Sequence, residues 1–337
     1  MIKYIQGNCI DKIKELEDNS IDCVVSSPPY FGLRDYGVDG QFGLEKTYQE
    51  YIANTVKVFE TFKTKLKDTA TIWWNVGDSY ASFRPMGTSD NGQYKSGLTG
   101  NRYATHLKSN DIGRSGKTSK VPGNHHRGRG KISGCLKPKD LLMIPNRVAI
   151  ALQDAGWYIR SEIIWHKPNP MPESVTDRPT SAHEKIWLIT KSKKYYYDAD
   201  AIKEPVKEIS KKRVQYGLKH KHPNNIGVAI PPVNTEKMGE RFCNSDGKRN
   251  KRNVWTITTK PFKDAHFATF PKDLIEPCIK AGCPENGIVL DPFGGSGTTG
   301  IVAKSLNRQC ILIELNPEYI KIAKKRADKE FGLFNES

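Results

Sequence analysis

The sequence lacks the cysteine pairs and the long apolar stretches that mark several classes of protein. Its seven cysteines are an odd number, and none of them forms the CxxC pair of zinc and redox motifs. No apolar run approaches the roughly 20 residues of a membrane helix, and the first residues lack the long apolar core of a signal peptide. These absences argue against a disulfide framework, a zinc site and a membrane span. We expect a soluble, cytoplasmic chain without a metal.

Acidic residues are scarce in two long stretches of the chain. The 337 residues carry a formal net charge of +16. Residues 81–139 hold 12 Lys and Arg against 2 Asp and Glu, and residues 203–252 hold 13 against 5. The rest of the chain is nearly neutral, so the positive charge is concentrated. Concentrated basic charge is typical of a protein that binds a polyanion, and the alternative is two solvated loops.

Hydrophobic periodicity predicts alternating strands and helices, enough for one large domain with insertions or for two domains. Strands are predicted at 2–6, 21–25, 69–76, 158–165, 183–190, 287–291 and 309–314. Helices are predicted at 11–18, at 47–66 with Thr47 as N-cap, and at 272–281, 298–306 and 317–328. The final β-α-β-α pattern is typical of half a doubly wound sheet.

The stretch 26–31 follows the predicted strand 21–25 and has the sequence Ser-Ser-Pro-Pro-Tyr-Phe. Its two prolines fix φ and remove two backbone N–H donors. The result is a rigid elbow that presents carbonyls, a hydroxyl and an aromatic ring at the carboxyl edge of a sheet, where ligands bind in open α/β folds. Such a site suits a planar group with an amino donor. Alone, the stretch would be interpreted as a turn or a polyproline-like ligand.

A second candidate site lies at 288–300, where an apolar run is followed by a glycine-rich turn. Gly295, Gly297 and Gly300 form a GxGxxG pattern, and Glu314 lies 19 residues after Gly295. That spacing is typical of a carboxylate that binds a nucleotide ribose. A P-loop is excluded because no Lys-Ser/Thr pair follows the glycines. A nicotinamide dinucleotide, a flavin and S-adenosylmethionine remain candidates, and Asp291 before the turn, together with 26–31, favours the last.

With both sites described, the sequence resembles the beta group of amino-methylating DNA methyltransferases, of the site-specific, cytosine-N4 type. The tetrapeptide 27–30 looks like the catalytic motif of that family, and 291–299 looks like its cofactor loop. Residues 265–271 resemble the motif that holds the methionine end, and 163–169 resemble a structural block. Serine in the first position of the tetrapeptide, where many relatives carry Asp or Asn, is typical of cytosine-N4 enzymes.

The resemblance implies a Rossmann-like α/β fold of the S-adenosylmethionine-dependent methyltransferases. This fold has a mostly parallel sheet with helices on both faces, here with circularly permuted motif order and basic inserted segments. The implied catalytic residues are Ser27, Pro28, Pro29 and Tyr30. The implied cofactor-binding residues are Asn8, His266, Thr269, Phe270, Asp291, Phe293, Gly295, Ser296, Gly297, Thr298, Thr299 and Glu314. Asn8 stands where the family carries Asp, so its contact with the cofactor is the least supported of these.

The order of the motifs also divides the chain. The expected division is a catalytic half at 1–80, continued at 138–197 after a flexible basic insert at 81–137, then a target-recognition region at 198–262, a cofactor-binding half at 263–330 and a tail at 331–337. The recognition region is placed there because the tetrapeptide precedes the cofactor loop, which is the order of the beta group.

The implied activity is transfer of a methyl group from S-adenosylmethionine to N4 of cytosine in double-stranded DNA, by base flipping and direct attack. A restriction-modification role would add a restriction endonuclease that acts separately. The alternatives are adenine-N6 methylation with the same geometry, an NAD-dependent oxidoreductase that gives the tetrapeptide no role, and a catalytically silent DNA-binding protein.

The two basic segments predict that DNA binding weakens steeply as salt is added, because each neutralised phosphate releases counterions. We expect the logarithm of the association constant to fall by about 0.9 per logarithm of salt concentration for each phosphate contacted. Fluorescence anisotropy with a labelled duplex over a series of salt concentrations measures that slope. A slope near zero would show that the basic segments do not contact DNA.

Overall fold

The computed structural model describes residues 1–81, 136–206, 248–259 and 270–332. Nearly all of the expected basic insert, most of the expected recognition region and most of the expected tail lie outside these residues, as do His266 and Thr269. Within the described ranges, every helix is too short or too polar to cross a lipid bilayer.

Ten strands and six α-helices make up the described part of the chain. The strands are β1 (Ile2–Gln6), β2 (Ile21–Ser26), β3 (Leu66–Val76), β4 (Tyr158–His166), β5 (His183–Thr190), β6 (Glu204–Pro205), β7 (Lys248–Arg249), β8 (Val254–Thr256), β9 (Ile288–Asp291) and β10 (Gln309–Glu314). The helices are α1 (Cys9–Lys14), α2 (Tyr48–Lys65), α3 (Ile144–Asp154), α4 (Lys272–Gly282), α5 (Thr298–Ser305) and α6 (Pro317–Phe331). A short 3-10 helix covers Asp200–Ile202.

Eight of the strands form one sheet in the order β1-β10-β9-β2-β3-β5-β4-β8. The five strands from β1 to β3 in this order are parallel to one another. β5 is antiparallel to both β3 and β4, and β8 pairs with β4 in parallel. The sheet is therefore mostly parallel, and β5 brings its first residues, rather than its last, to the edge where the parallel strands end.

Helices cover both faces of the sheet, and neighbouring residues of β3 contact the helices of opposite faces. Successive strand residues point to opposite faces. Accordingly, Trp74 packs with Phe59 and the other apolar residues of α1, α2 and α3, whereas Trp73 packs with the apolar residues of α4 and α5. Both indoles are buried. This confirms the Rossmann-like α/β architecture.

The helix ends follow local side-chain chemistry, with one difference from the sequence-based bounds. Thr47 caps α2 as predicted, since its hydroxyl accepts a hydrogen bond from the Glu50 amide at 3.2 Å. The periodicity predicts the first helix at 11–18, but that helix begins at Cys9 and ends at Lys14. The reason is that Asn8 acts as its N-cap, with Oδ1 accepting from the Ile10 amide at 2.9 Å.

Candidate active site

The two stretches singled out in the sequence meet at one edge of the sheet. β2 and β9 are neighbouring parallel strands, so Ser26 at the end of β2 and Asp291 at the end of β9 reach the same edge. The chain order reverses between these strands, because β10 and β1 lie beyond β9 whereas β3 lies beyond β2. Such a reversal opens a crevice at the carboxyl ends of the strands, where ligands bind.

Asp291 connects the two stretches through a set of hydrogen bonds. Its Oδ1 accepts from Ser26 Oγ at 2.6 Å and from the Phe293 amide at 3.1 Å. Its Oδ2 accepts from Thr299 Oγ1 at 2.6 Å. The side chain is fully buried, and burial raises its pKa to about 6 although these bonds act to lower it. Asp291 therefore joins β2, the glycine loop 292–298 and the start of α5.

The glycine loop is held by α6 behind it. The Gly297 backbone has φ of +80°, and a Cβ there would lie 2.8 Å from Cβ of Ala323, so a larger residue would push the helix away. Arg326 Nη1 donates to the Ser296 carbonyl and hydroxyl, both at 2.6 Å, and to Thr298 Oγ1 at 3.1 Å. The side chains of Ser296 and Thr298 are consequently buried against α6, and they fix the shape of the loop.

Glu314 lies at the end of β10, beside the loop. Its Oε2 accepts from the Gly295 amide and its Oε1 from the Asn316 amide, both at 2.8 Å. Burial raises its pKa. The carboxylate can accept a further hydrogen bond, and a Cβ built at Gly295 meets nothing closer than 3.8 Å. A carboxylate next to an open glycine backbone fits the ribose of a nucleoside ligand.

A loop that leaves the tetrapeptide covers the side of this site. The Gly32 amide donates to the Gly43 carbonyl at 2.8 Å, which ties the ends of residues 32–43 together as in an Ω-loop. Phe42 packs on Phe293, with 5.4 Å between ring centroids. Tyr36 meets Tyr319 edge to face at 6.3 Å. No contact between this segment and the cofactor side was predicted from the sequence.

The tetrapeptide 27–30 contacts polar groups from two strands, β3 and β5. Tyr30 donates its hydroxyl proton to Glu184 Oε2 at 2.6 Å, and its oxygen accepts from Asn75 Nδ2 at 2.9 Å. Ser27 Oγ lies 3.3 Å from the Tyr30 hydroxyl and 3.3 Å from Asn75 Nδ2. Burial and the neighbouring Glu184 carboxylate raise the pKa of Tyr30 well above its usual value. The phenol is therefore neutral.

The Tyr30 ring is fixed on one side. A Cβ at Gly77 would lie 2.4 Å from Cε2 of Tyr30, so the ring packs directly on the Gly77 backbone. Pro28 is buried, whereas Ser27, Pro29 and Tyr30 are partly exposed. The Pro29 carbonyl accepts from the Tyr51 hydroxyl at 3.1 Å. The carbonyls of Ser27 and Pro28, the Ser27 hydroxyl and the exposed part of the ring remain for a ligand.

Most of the residues singled out in the sequence lie at this edge. The structure brings together the tetrapeptide, Asp291, Phe293, the glycine loop, Thr299 and Glu314. Asn8 follows β1, which pairs with β10, but its Oδ1 serves as a helix cap. Phe270 lies before α4 and packs with the apolar residues of α4 and α5.

Sequence reasoning missed five residues that support the site: Asn75, Gly77, Lys167, Glu184 and Arg326. Two of them, Asn75 and Gly77, lie at the carboxyl end of β3. Because β3 is parallel to β2, this position in the sequence could have predicted that they lie near the tetrapeptide. Glu184 is paired with Lys167 and belongs to the antiparallel strand β5. Its position depends on a strand pairing that the local pattern does not encode.

Solved structures of similar fold come from one class of enzyme. The cytosine-N4-specific PvuII DNA methyltransferase has a TM-score of 0.58 at 18% identity, covering 99% of this chain and 91% of that one. A putative DNA modification methylase from Thermus thermophilus, solved with S-adenosyl-L-methionine, has a TM-score of 0.55 at 18% identity, with 98% and 94% covered. The fold is that of the S-adenosylmethionine-dependent methyltransferases.

Proteins of similar sequence identify the family within that class. The DNA methylase family model, which groups N6 and N4 methyltransferases, matches residues 21–325. Type II methyltransferase M.Cfr9I of Citrobacter freundii is 41% identical over 325 residues, covering 96% of this chain and 87% of the relative. Type II methyltransferase M.SmaI of Serratia marcescens is 40% identical over 329 residues, covering 96% and 90%. The chain belongs to the N6/N4 DNA methylase family, and its substrates are DNA and S-adenosylmethionine.

Replacing Asp291 by Asn should change how the stability of the protein depends on pH. The native pKa of about 6 exceeds the unfolded value of about 3.9, so the native state binds more protons between these values and loses stability as the pH rises through them. Between about pH 8 and pH 5, the wild type should gain about 1 kcal/mol from this carboxyl, and Asp291→Asn should lack that gain.

Urea unfolding of both proteins at the two pH values measures this difference. Because other groups titrate equally in both proteins, the comparison isolates residue 291. An identical pH dependence in the wild type and the variant would contradict the raised pKa.

Proposed function

We propose that the protein methylates N4 of cytosine at a specific sequence of double-stranded DNA, as the modification enzyme of a restriction-modification system. The observation that carries this proposal is the position of Ser27, directly after β2 and one residue from the Asp291 contact that reaches the glycine loop. The relatives named as Type II methyltransferases and the cytosine-N4-specific PvuII enzyme support it. The restriction endonuclease would be a separate enzyme.

In this proposal the target cytosine leaves the duplex, because its amino group is inaccessible within the base stack. Ser27 Oγ and the carbonyls of Ser27 and Pro28 accept hydrogen bonds from the amino group. Pro29 contributes rigidity, since its carbonyl accepts a hydrogen bond from the Tyr51 hydroxyl. The partly exposed ring of Tyr30 stacks on the base, and its contact with Gly77 fixes its position.

The cofactor residues divide into two groups in the proposal. S-adenosylmethionine supplies a methyl group on a positively charged sulfur. Glu314 accepts from the ribose hydroxyls, and Gly295, Gly297 and Phe293 border the nucleoside. Asp291, Ser296, Thr298 and Thr299 act by shaping the loop, as their hydrogen bonds indicate. The methionine end is held by His266, Thr269 and Phe270. Asn8 caps α1 next to Glu314 and so positions the start of that helix.

The acceptors favour attack by changing the amino nitrogen. Its lone pair is delocalised into the ring, and hydrogen bonds from both amino hydrogens favour a pyramidal nitrogen with an available lone pair. In-line placement of the two substrates then provides most of the rate. DNA contacts are assigned to 198–262 and to the basic insert 81–137. Adenine-N6 methylation remains the alternative, because the family includes both activities.

Mass spectrometry of digested DNA tests the proposal. DNA containing varied sequences is incubated with the protein and isotopically labelled S-adenosylmethionine, and the labelled nucleoside is identified. N4-methylcytosine is the expected product. N6-methyladenine would replace the proposal by its alternative, and the absence of any product would exclude both.

Ser27→Ala tests the role of the hydroxyl in the same assay. We expect the single-turnover rate to fall by about 10²-fold while DNA affinity is retained. The matched control is Ser20→Ala, which removes a hydroxyl just before β2, at the opposite end of that strand. Equal losses of turnover and DNA binding would count against the assigned role.

A further inference from the structure

A line of oxygen atoms leads from the tetrapeptide to a carboxylate. Ser27 Oγ donates to the Tyr30 oxygen at 3.3 Å, and Tyr30 donates to Glu184 Oε2 at 2.6 Å. The other carboxylate oxygen is paired with Lys167 Nζ. The first of these bonds is long, but such bonds between catalytic groups are often long in ligand-free geometry and tighten in the reactive complex.

The direction of each bond in this line follows from what the groups are able to donate. Glu184 in its ionised form only accepts, so the single proton of the neutral Tyr30 phenol points to it. The phenol oxygen then accepts from Ser27 and from Asn75 Nδ2, which lies 2.9 Å away. Since the Ser27 proton points to Tyr30, a lone pair of Ser27 Oγ is available for the amino group of the base.

We propose that Ser27, Tyr30 and Glu184 form a proton path, with Glu184 as the terminal acceptor of the proton that the methylated amino nitrogen loses. Glu184 acts through Tyr30 and is thus a positioning residue rather than one that contacts the base. The proposal rests on the placement of the amino group at Ser27, but it is the same for cytosine and adenine.

The step balances as follows. The nitrogen lone pair forms the N–C bond while the C–S bond breaks, and the electrons of that bond remain on sulfur. As positive charge develops on the nitrogen, a proton leaves it for Ser27 Oγ in the same step. The hydroxyl proton of Ser27 passes to the Tyr30 oxygen, and the Tyr30 proton passes to Glu184. The products are a neutral methylated amine, a neutral thioether and a protonated Glu184, which returns its proton to solvent through its partly exposed side chain.

The groups next to the path explain why Glu184 is the residue that finally accepts the proton. Asn75 contacts the same atoms but an amide does not take up a proton. The ammonium group of Lys167 compensates the charge of the carboxylate in a site where both side chains are less than one-fifth exposed. Because positive charge develops on the nitrogen during transfer, a negative group at the end of a hydrogen-bonded line stabilises the transition state.

Glu184→Gln tests the path. Glutamine keeps the shape and accepts a hydrogen bond from Tyr30, but it does not accept the proton. We expect the single-turnover methylation rate of the folded variant to fall by about 10²-fold, with the affinities for DNA and S-adenosylmethionine unchanged. The matched control is Glu162→Gln on β4, a carboxylate paired with Lys185 at 2.5 Å. A wild-type rate in Glu184→Gln would overturn the proposal.

Tyr30→Phe provides a second test that leaves the Lys167–Glu184 pair in place. The ring remains to stack on a base, but the line is broken. We expect a solvent deuterium isotope effect on the single-turnover rate of the wild type and none in this variant. No isotope effect in the wild type, or an undiminished rate in Tyr30→Phe, would overturn the proposal. A wild type that forms no methylated nucleoside would instead refute the proposed function itself.

Discussion

One buried carboxylate holds the active-site edge together. Asp291 accepts hydrogen bonds from Ser26 on β2 and from the Phe293 amide and Thr299 beyond β9, although Ser26 and Asp291 are 265 residues apart in the sequence. Because Ser26 directly precedes Ser27, the same group sets the distance between the tetrapeptide and the glycine loop. The raised pKa of Asp291 shows that this arrangement has a cost in stability. What it provides is a fixed separation of two sites, which proximity catalysis requires.

The parts of the molecule that the sequence predicts are those with local signals. Thr47 and Glu50 define the start of α2 within four residues. The glycines and Glu314 fall on one β-α-β unit, so their spacing alone predicts that they meet. The tetrapeptide combines proline rigidity with the end of an apolar strand. Each of these features is determined by neighbours in the chain, and the structure places the corresponding elements where the pattern predicted them.

The parts that the sequence does not predict depend on contacts between distant segments. Tyr30 and Glu184 are 154 residues apart, and they meet only because β5 runs antiparallel to β3. Arg326 binds Ser296 from 30 residues away, which directs that hydroxyl toward α6. The sequence identifies which groups are polar, whereas the strand pairing decides which of them become partners.

The pairing of β1 with β10 has a consequence for how the chain reaches its fold. β1 occupies an edge of the sheet, and β10 is its neighbour there. Likewise, β9 lies between β10, which follows it closely in the chain, and β2, which lies far before it. During synthesis on the ribosome, the main chain of residues 2–6 therefore forms its strand hydrogen bonds only after residues 309–314 have been made. Contacts of such long sequence separation slow folding, so β2 has an unprotected strand edge until β9 has emerged.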